Sequence, residues 1–284
     1  MKRYISLAVL LLALCLPGAA TACLGLQTAK KPLTISIVPQ LPVPTIYAKW
    51  GPFLSYVGNA SGECFDLILQ PTIPDFEKFL WTAAPDMAYT NPYHAVMAHR
   101  RLGYLPAIAD GSELLTGILV VRQDSNIRSL ADLRQQKIDF PAPNAFAASL
   151  LLRAYLAKEQ VNIQPVYVRS HSNVYRGVIL GDAAAGGGVN KTLRGEPADV
   201  RDQLRVIYET PGFRGHPIVF NPRVSRDLRL KIVKTILDMS RTEEGRALLA
   251  DIQIPEPMSV TYDKDYRPLE KLGFEKLVKE DGNQ

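Results

Sequence analysis

The sequence predicts an α/β protein built on mainly parallel sheets. Short β-branched runs alternate with amphipathic helical runs along the whole chain. Proline and glycine clusters fall between these runs, where strands must turn into helices. The length also fits: removing 22 of the 284 residues as a leader leaves 262, enough for one large or two medium lobes.

The leader is read from its pattern. Lys2 and Arg3 precede an apolar run, Ile5 to Leu16, that is too short to span a bilayer comfortably. Pro17 and Gly18 break the run, and Ala20-Thr21-Ala22 supplies small residues before Cys23. Residues 1–22 are therefore expected to be a secretory signal peptide. Cys23 is expected to be lipidated, as in bacterial lipoproteins, although Ala20 stands where leucine is usual and Ala20-x-Ala22 also suits an ordinary signal peptidase. Residues 23–32 would then form a tether.

Loss of the leader takes the formal charge from +5 to +3, because it carries two basic and no acidic residues. No long basic run or aromatic-basic interleaving points to nucleic acid. Only Cys23 and Cys64 remain. A lipidated Cys23 would leave Cys64 alone, and an unlipidated Cys23 could bridge to it in an oxidising compartment.

Leu33 to Val38 alternates as a strand. After the proline-rich loop Pro39–Pro44, Thr45 to Val57 places Ile46, Trp50, Phe53, Leu54 and Val57 on one helical face. Phe65 to Leu69 is a strand, Ile73 to Thr82 a helix and Asp86 to Tyr89 a strand. Asn91 caps the helix Tyr93 to Arg101, with Pro92 at its first position. Leu105 to Ala109 and Leu114 to Arg122 are extended, and Ser129 opens a capped helix. Lys137 to Phe140 is a strand stopped by Pro141 and Pro143, and Asn144 is expected to cap the helix that begins at Ala145. Val166 to Val168 is a strand leading through Ser170-His171-Ser172 to a helix ending at Leu180. Ala183 to Val189 contains Gly186-Gly187-Gly188, a strand and loop where backbone must approach something closely. Leu204 to Glu209 and His216 to Phe220 are extended, and Leu228 to Met239 and Glu243 to Ala250 are helices.

Ligands of such sheets sit beyond the carboxyl ends of strands. The loops concerned are Pro39–Pro44, Thr90–Tyr93, Phe140–Ser149, Ser170–Ser172 and Gly186–Gly188. A helix starting directly after a strand aims unpaired N–H groups and a positive dipole end at what lies before it, which suits an anion. His94 and His99 lie about 140° apart on a helix at ~100° per residue, so they cannot share one metal. There is no GxSxG elbow, no GxxxxGK[ST] loop and no GxGxxG fingerprint. An enzyme is not expected; it would need a perturbed acid or base, and His171 is the obvious candidate.

Four segments together resemble one family. Asp86-Met-Ala-Tyr-Thr-Asn-Pro-Tyr-His, Phe140-Pro-Ala-Pro-Asn-Ala-Phe-Ala-Ala-Ser, Ser170-His-Ser-Asn-Val-Tyr-Arg-Gly-Val and Gly181-Asp-Ala-Ala-Ala-Gly-Gly-Gly stand in the order of the phosphate/phosphite/phosphonate substrate-binding proteins of ABC transporters. The resemblance covers roughly Leu33 to Leu249. It implies a type 2 periplasmic-binding-protein fold: two α/β lobes joined by two crossing strands, with a ligand cleft between them. Lobe 1 would be 33–117 plus 217–284 and lobe 2 would be 118–216, with crossings near Gly117–Arg122 and Tyr208–Pro217.

The resemblance also implies a periplasmic monomer, anchored at most by lipid, that binds a small anion and delivers it to a membrane ABC permease. The alternative is a sensor partnering a membrane kinase or cyclase. No cofactor or metal is implied. The expected contacts are Thr90, Asn91, Tyr93, Asn144, Ala145, Phe146, Ser149, Ser170, His171 and Ser172, with His171 matching the family's ligand-contacting histidine. Two departures stand out. Where the family's helix opens with consecutive hydroxyls, this chain reads Asn144-Ala145-Phe146-Ala147-Ala148, and Ala184 replaces a cleft carboxylate. These departures put a phosphonate ligand in question and suggest a more apolar or differently shaped one.

Overall fold

The structure is a computed structural model that describes residues 23–26 and 31–272. The leader expected at 1–22 lies outside the described residues. In chain order the strands are β1 (Leu24–Gly25), β2 (Leu33–Ile37), β3 (Cys64–Leu69), β4 (Met87–Tyr89), β5 (Leu105–Asp110), β6 (Gly117–Arg122), β7 (Lys137–Phe140), β8 (Gln164–Tyr167), β9 (Ala185–Val189), β10 (Leu204–Glu209), β11 (Ile218–Phe220) and β12 (Pro257–Ser259). The helices are α1 (Val43–Ser61), α2 (Ile73–Trp81), α3 (Pro92–Leu102), α4 (Leu152–Lys158), α5 (His171–Leu180), α6 (Asn190–Arg194), α7 (Ala198–Arg201), α8 (Arg226–Met239) and α9 (Glu243–Asp251).

The strands form two sheets, each flanked by helices. The first has the order β1-β3-β2-β4-β11-β5-β12 and the second β10-β6-β9-β7-β8. Both are mixed rather than mainly parallel. β2 runs parallel to β3 and β4, but β11 is antiparallel to β4 and β5. β7 is parallel to β8 and β9, whereas β6 is antiparallel to β9 and β10. The cause is the chain path: it leaves the first sheet after β5, builds the second, and returns as β11.

The crossings lie between Asp110 and Gly117 and between Glu209 and Ile218. Gly117–Arg122, expected to cross, is instead β6, inside the second sheet, because its side chains are buried on both faces (Leu119 and Val121 in one cluster, Ile118 and Val120 in the other). The crossings pair with each other: Leu115 N–H donates to Phe213 O at 2.8 Å and Phe213 N–H to Leu115 O at 3.0 Å.

Local chemistry explains most helix boundaries. Side-chain oxygens of Thr72, Asn91, Ser170, Ser225 and Thr242 accept from the first turns of α2, α3, α5, α8 and α9. α1 starts at Val43 rather than Thr45, with Pro44 in its first turn, where a missing N–H costs nothing. The helix expected from Ser129 is only a single 3-10 turn, Ala131–Leu133, because Asp132 turns back to accept from the Arg128 and Ser129 N–H groups. Of the tether expected at 23–32, residues 27–30 lie outside the described residues, and the part before them is docked. Leu24–Gly25 pairs with β3, and Cys23 is disulfide-bonded to Cys64.

The three glycines of β9 have separate reasons. A β-carbon on Gly186 would come within 2.4 Å of Val174, and one on Gly188 within 2.3 Å of the Tyr175 hydroxyl, both on α5. A β-carbon on Gly187 would meet Ala148 O at 2.2 Å on the opposite face. β9 is thus squeezed between two helices, and alternate residues meet each in turn.

Gly187→Ala should destabilise the protein by at least ~2 kcal/mol, since the backbone it meets cannot rotate away. Gly195→Ala, whose β-carbon would stay 3.5 Å from the nearest atoms, should be nearly neutral. Urea denaturation of both variants checks this.

Candidate functional site

The two sheets face each other across the crossings. A cavity of about 10 Å³ remains between them, bounded by Gln40, Tyr89, Asp110, Lys191, His216 and Gln253 among others. A second space of about 20 Å³ continues past Gln40, Tyr89 and Gln253 toward Trp50. Neither exceeds water size, so the lobes stand closed.

His216 is carried on the returning crossing just before β11, and its ring stacks on Tyr89, centroids 5.5 Å apart. Trp50 also packs on Tyr89, tilted, with centroids 4.9 Å apart. Burial pulls His216 down to a pKa of about 3, with the nearby Lys191 adding to the effect. Burial also lowers His171, to about 4. Both imidazoles are therefore neutral at pH 7. Tyr89 is pushed above its ordinary value by burial, with Asp110 adding to the effect.

Lys191, on α6 at the end of β9, reaches across the cleft. Its Nζ lies 2.5 Å from Asp110 Oδ2 and 3.5 Å from Gln253 O. Burial alone would raise Asp110. Hydrogen bonds from Lys191 and Ser112 outweigh it and hold the carboxyl below its ordinary value.

A second set of polar contacts closes the other side. Glu77 of α2 meets His94 of α3, Oε1 to Nε2, at 2.9 Å. Its Oε2 accepts from the Asn144 side chain at 3.1 Å, and the Asn91 side chain donates to Asn144 O at 3.2 Å. Asn144 belongs to the second lobe, so both bonds cross the seam.

The expected contact residues divide. Asn91, Asn144 and Phe146 lie at the seam, with Phe146 edge-on to Phe213 of the crossing at 5.8 Å. Thr90 N–H donates to Pro217 O at 3.0 Å, beside His216. Tyr93 is buried in the first lobe's core. His171 is buried at the start of α5, Nδ1 3.3 Å from the Thr192 hydroxyl. Ser170 caps α5, and the Ser172 hydroxyl donates to Glu196 at 2.5 Å.

Asn144 does not cap a helix. The helix opens instead with a π-turn, Phe146–Leu151, and Ala145 at its cap position makes no side-chain bond. The Asn144 side chain turns to the first lobe instead, its Nδ2 donating to the buried carboxylate of Glu77. The Ser149 hydroxyl donates to Pro143 O at 3.1 Å and accepts from Arg153 Nε at 3.2 Å, which fixes the turn. Ala145, Ala147 and Ala148 join the apolar cluster shared with the first lobe, so the seam here is packed where the family pattern would place hydroxyls.

Sequence reasoning missed Gln40, Tyr89, Asp110, Lys191 and Gln253, and found no role for His216. Tyr89 stood inside a recognised strand, and the β9–α6 junction carried no motif.

With this geometry in view, the comparisons place the chain. The family described as "ABC transporter, phosphonate, periplasmic substrate-binding protein" matches residues 35–266, and the protein belongs to that family. The family is one of substrate-binding transport proteins, which take up a small anion and partner a membrane permease. No curated protein sequence matches significantly. Among solved structures, a binding-protein component of an ABC phosphonate transporter from Pseudomonas aeruginosa superposes with a TM-score of 0.78 at 18% identity, covering 87% of this chain and 88% of that one. PhnD1 from Prochlorococcus marinus, solved with methylphosphonate, gives 0.77 at 14% identity over 87% and 98%. XAC2383 from Xanthomonas citri, solved with chloride ion, gives 0.72 at 16% identity over 86% and 98%. These likenesses carry the type 2 periplasmic-binding-protein fold.

The lowered histidines set a pH dependence. Their folded-state pKa values lie below the ordinary 6.5, so the fold disfavours their protonation. Stability is unaffected above about 6.5 and falls as pH drops toward 4, by up to ~1.4 kcal/mol per pH unit per histidine. Urea midpoints should fall between pH 7 and pH 5, and His216→Gln should flatten the decline.

Proposed function

We propose that this protein captures a phosphonate-type oxyanion between its lobes and presents the closed form to the permease. The observation that carries the reading is the cavity where the sheets converge, lined by Lys191 and the buried, neutral His216, with a second buried neutral histidine, His171, held beside Thr192 at the next position of α6. Asp110, the carboxylate in the wall of this cavity, is already paired with that lysine. An oxyanion entering here would compete for Lys191 and stabilise a proton on His216, making charge-assisted bonds.

A water-sized space admits no phosphonate, so the lobes must part first. The Leu115–Phe213 ribbon is the hinge about which they do so. Parting breaks the bonds of Asn91 and Glu77 to Asn144. Thr90, Asn91, Tyr93 and Asn144 then join His171, and the backbone of Ala145 and Phe146, as groups available to the ligand. Ser149, Ser170 and Ser172 support the walls. Since the hydroxyls usual at the helix start are absent, more of the recognition falls to Lys191 and the imidazoles. The Trp50–Tyr89 wall would receive the ligand's organic group. The described residues contain no helix long and apolar enough to cross a membrane.

Thermal shift and calorimetry with methylphosphonate, phosphite, phosphate and sulfate test the reading. A ligand at 100 times its Kd should add ~2.7 kcal/mol to stability. Silence with all four would overturn it. Lys191→Met should cost at least tenfold in affinity, and His171→Ala at least ~1 kcal/mol.

Affinity should also rise as pH falls through the bound-state pKa of His216, because the anion raises that pKa from about 3 and binding then takes up a proton. Calorimetry in two buffers of different ionisation enthalpy measures the uptake. His216→Ala should abolish it.

A further inference from the structure

We propose that Cys23 is a covalent clasp for the N-terminal strand and not a site of lipid attachment. A cysteine has one sulfur, and here it is bonded to Cys64, the Cα atoms standing 5.4 Å apart, a separation ordinary for a disulfide. A thioether to a diacylglyceryl group would need the same atom.

Three features beside the bridge show that the segment is built to dock. β1 pairs antiparallel with β3, Gly25 opposite Cys64, and Leu26 N–H donates to Glu63 O at 3.1 Å. Gly25 has φ of 113°, which a side chain would resist. A β-carbon on Gly25 would also come within 2.6 Å of Gly58 Cα on α1, and one on Gly58 within 2.6 Å of Gly25 Cα. Two glycines facing each other let α1 lie directly on the first residues after the leader. A lipid on Cys23 would have to leave from the sheet edge, beside Cys64, which is only 5% exposed.

The sequence accords with this. Ala20 stands three residues before Cys23, where lipoprotein processing usually finds leucine, while Ala20-x-Ala22 suits an ordinary signal peptidase. Bridge formation removes two electrons and two protons from the Cys23 and Cys64 thiols. They pass to the disulfide of a thiol oxidase in the oxidising compartment, which becomes a dithiol. The mature protein would then be freely diffusing, carrying its ligand to the permease without an anchor. The inference uses the family's periplasmic location but not the identity of the ligand.

The test is to express the full chain in a Gram-negative host, recover it without detergent and with detergent, and measure intact mass and thiol alkylation. The expected product begins at Cys23, weighs two hydrogens less than the reduced chain, and alkylates at two sites only after reduction. A diacylglyceryl adduct on Cys23, or alkylation of Cys64 in the unreduced protein, would overturn the proposal.

Stability gives a second readout. Cys23→Ser, Cys64→Ser and the double variant should each lower Tm by the same amount, roughly 10 °C for a loop of this length. A loss from Cys64→Ser with none from Cys23→Ser would also overturn it.

Discussion

Two short crossings, Asp110–Gly117 and Glu209–Ile218, constrain the rest of this molecule. They hydrogen-bond to each other through Leu115 and Phe213, and Gly117 N–H donates to the Thr210 hydroxyl at 2.9 Å. A ribbon of two strands can bend as a unit but cannot let the sheets slide apart. The groups nearest it therefore see both lobes in every state. Asp110 and His216 sit on or at the ends of the crossings, Tyr89 stacks on His216, and Lys191 reaches Asp110 from the second lobe.

This placement also sets the electrostatics. Burial keeps the His216 and His171 imidazoles neutral, with repulsion from Lys191 adding to the effect at His216, and Lys191 itself is paired with Asp110. On the opposite side, Glu77 is held between His94 and Asn144. Burying that carboxylate is tolerable only with both partners in place, so closing the lobes completes its coordination.

The local features of the cleft walls are legible in the sequence, whereas the residues that line the cavity are not. Asn91 caps α3 as its type and position dictate, and Ser170 does the same for α5. The glycine triplet announced a close approach, and the approach is there on both faces of β9. Asn144 is as well suited to a cap and is not one, because its side-chain amide is turned to donate to a carboxylate 67 residues away in the chain. Lys191 and Gln253 carry no local signature. They matter only because the β9–α6 junction and the end of α9 meet across the cleft. The mixed sheets were read as parallel because period and propensity report a strand's existence but not its direction.

The sequence by itself determined the alternation of strands and helices, most of the caps, the family motifs and the absence of hydroxyls at the helix start. All of these are local: they depend on side-chain chemistry within a few residues. The tertiary structure alone decided strand direction, the position of the crossings, the Asp110–Lys191 pair and the engagement of Cys23 with Cys64. Each of these depends on which distant segments meet, and pairing across distance is fixed by how the whole chain buries its apolar surface.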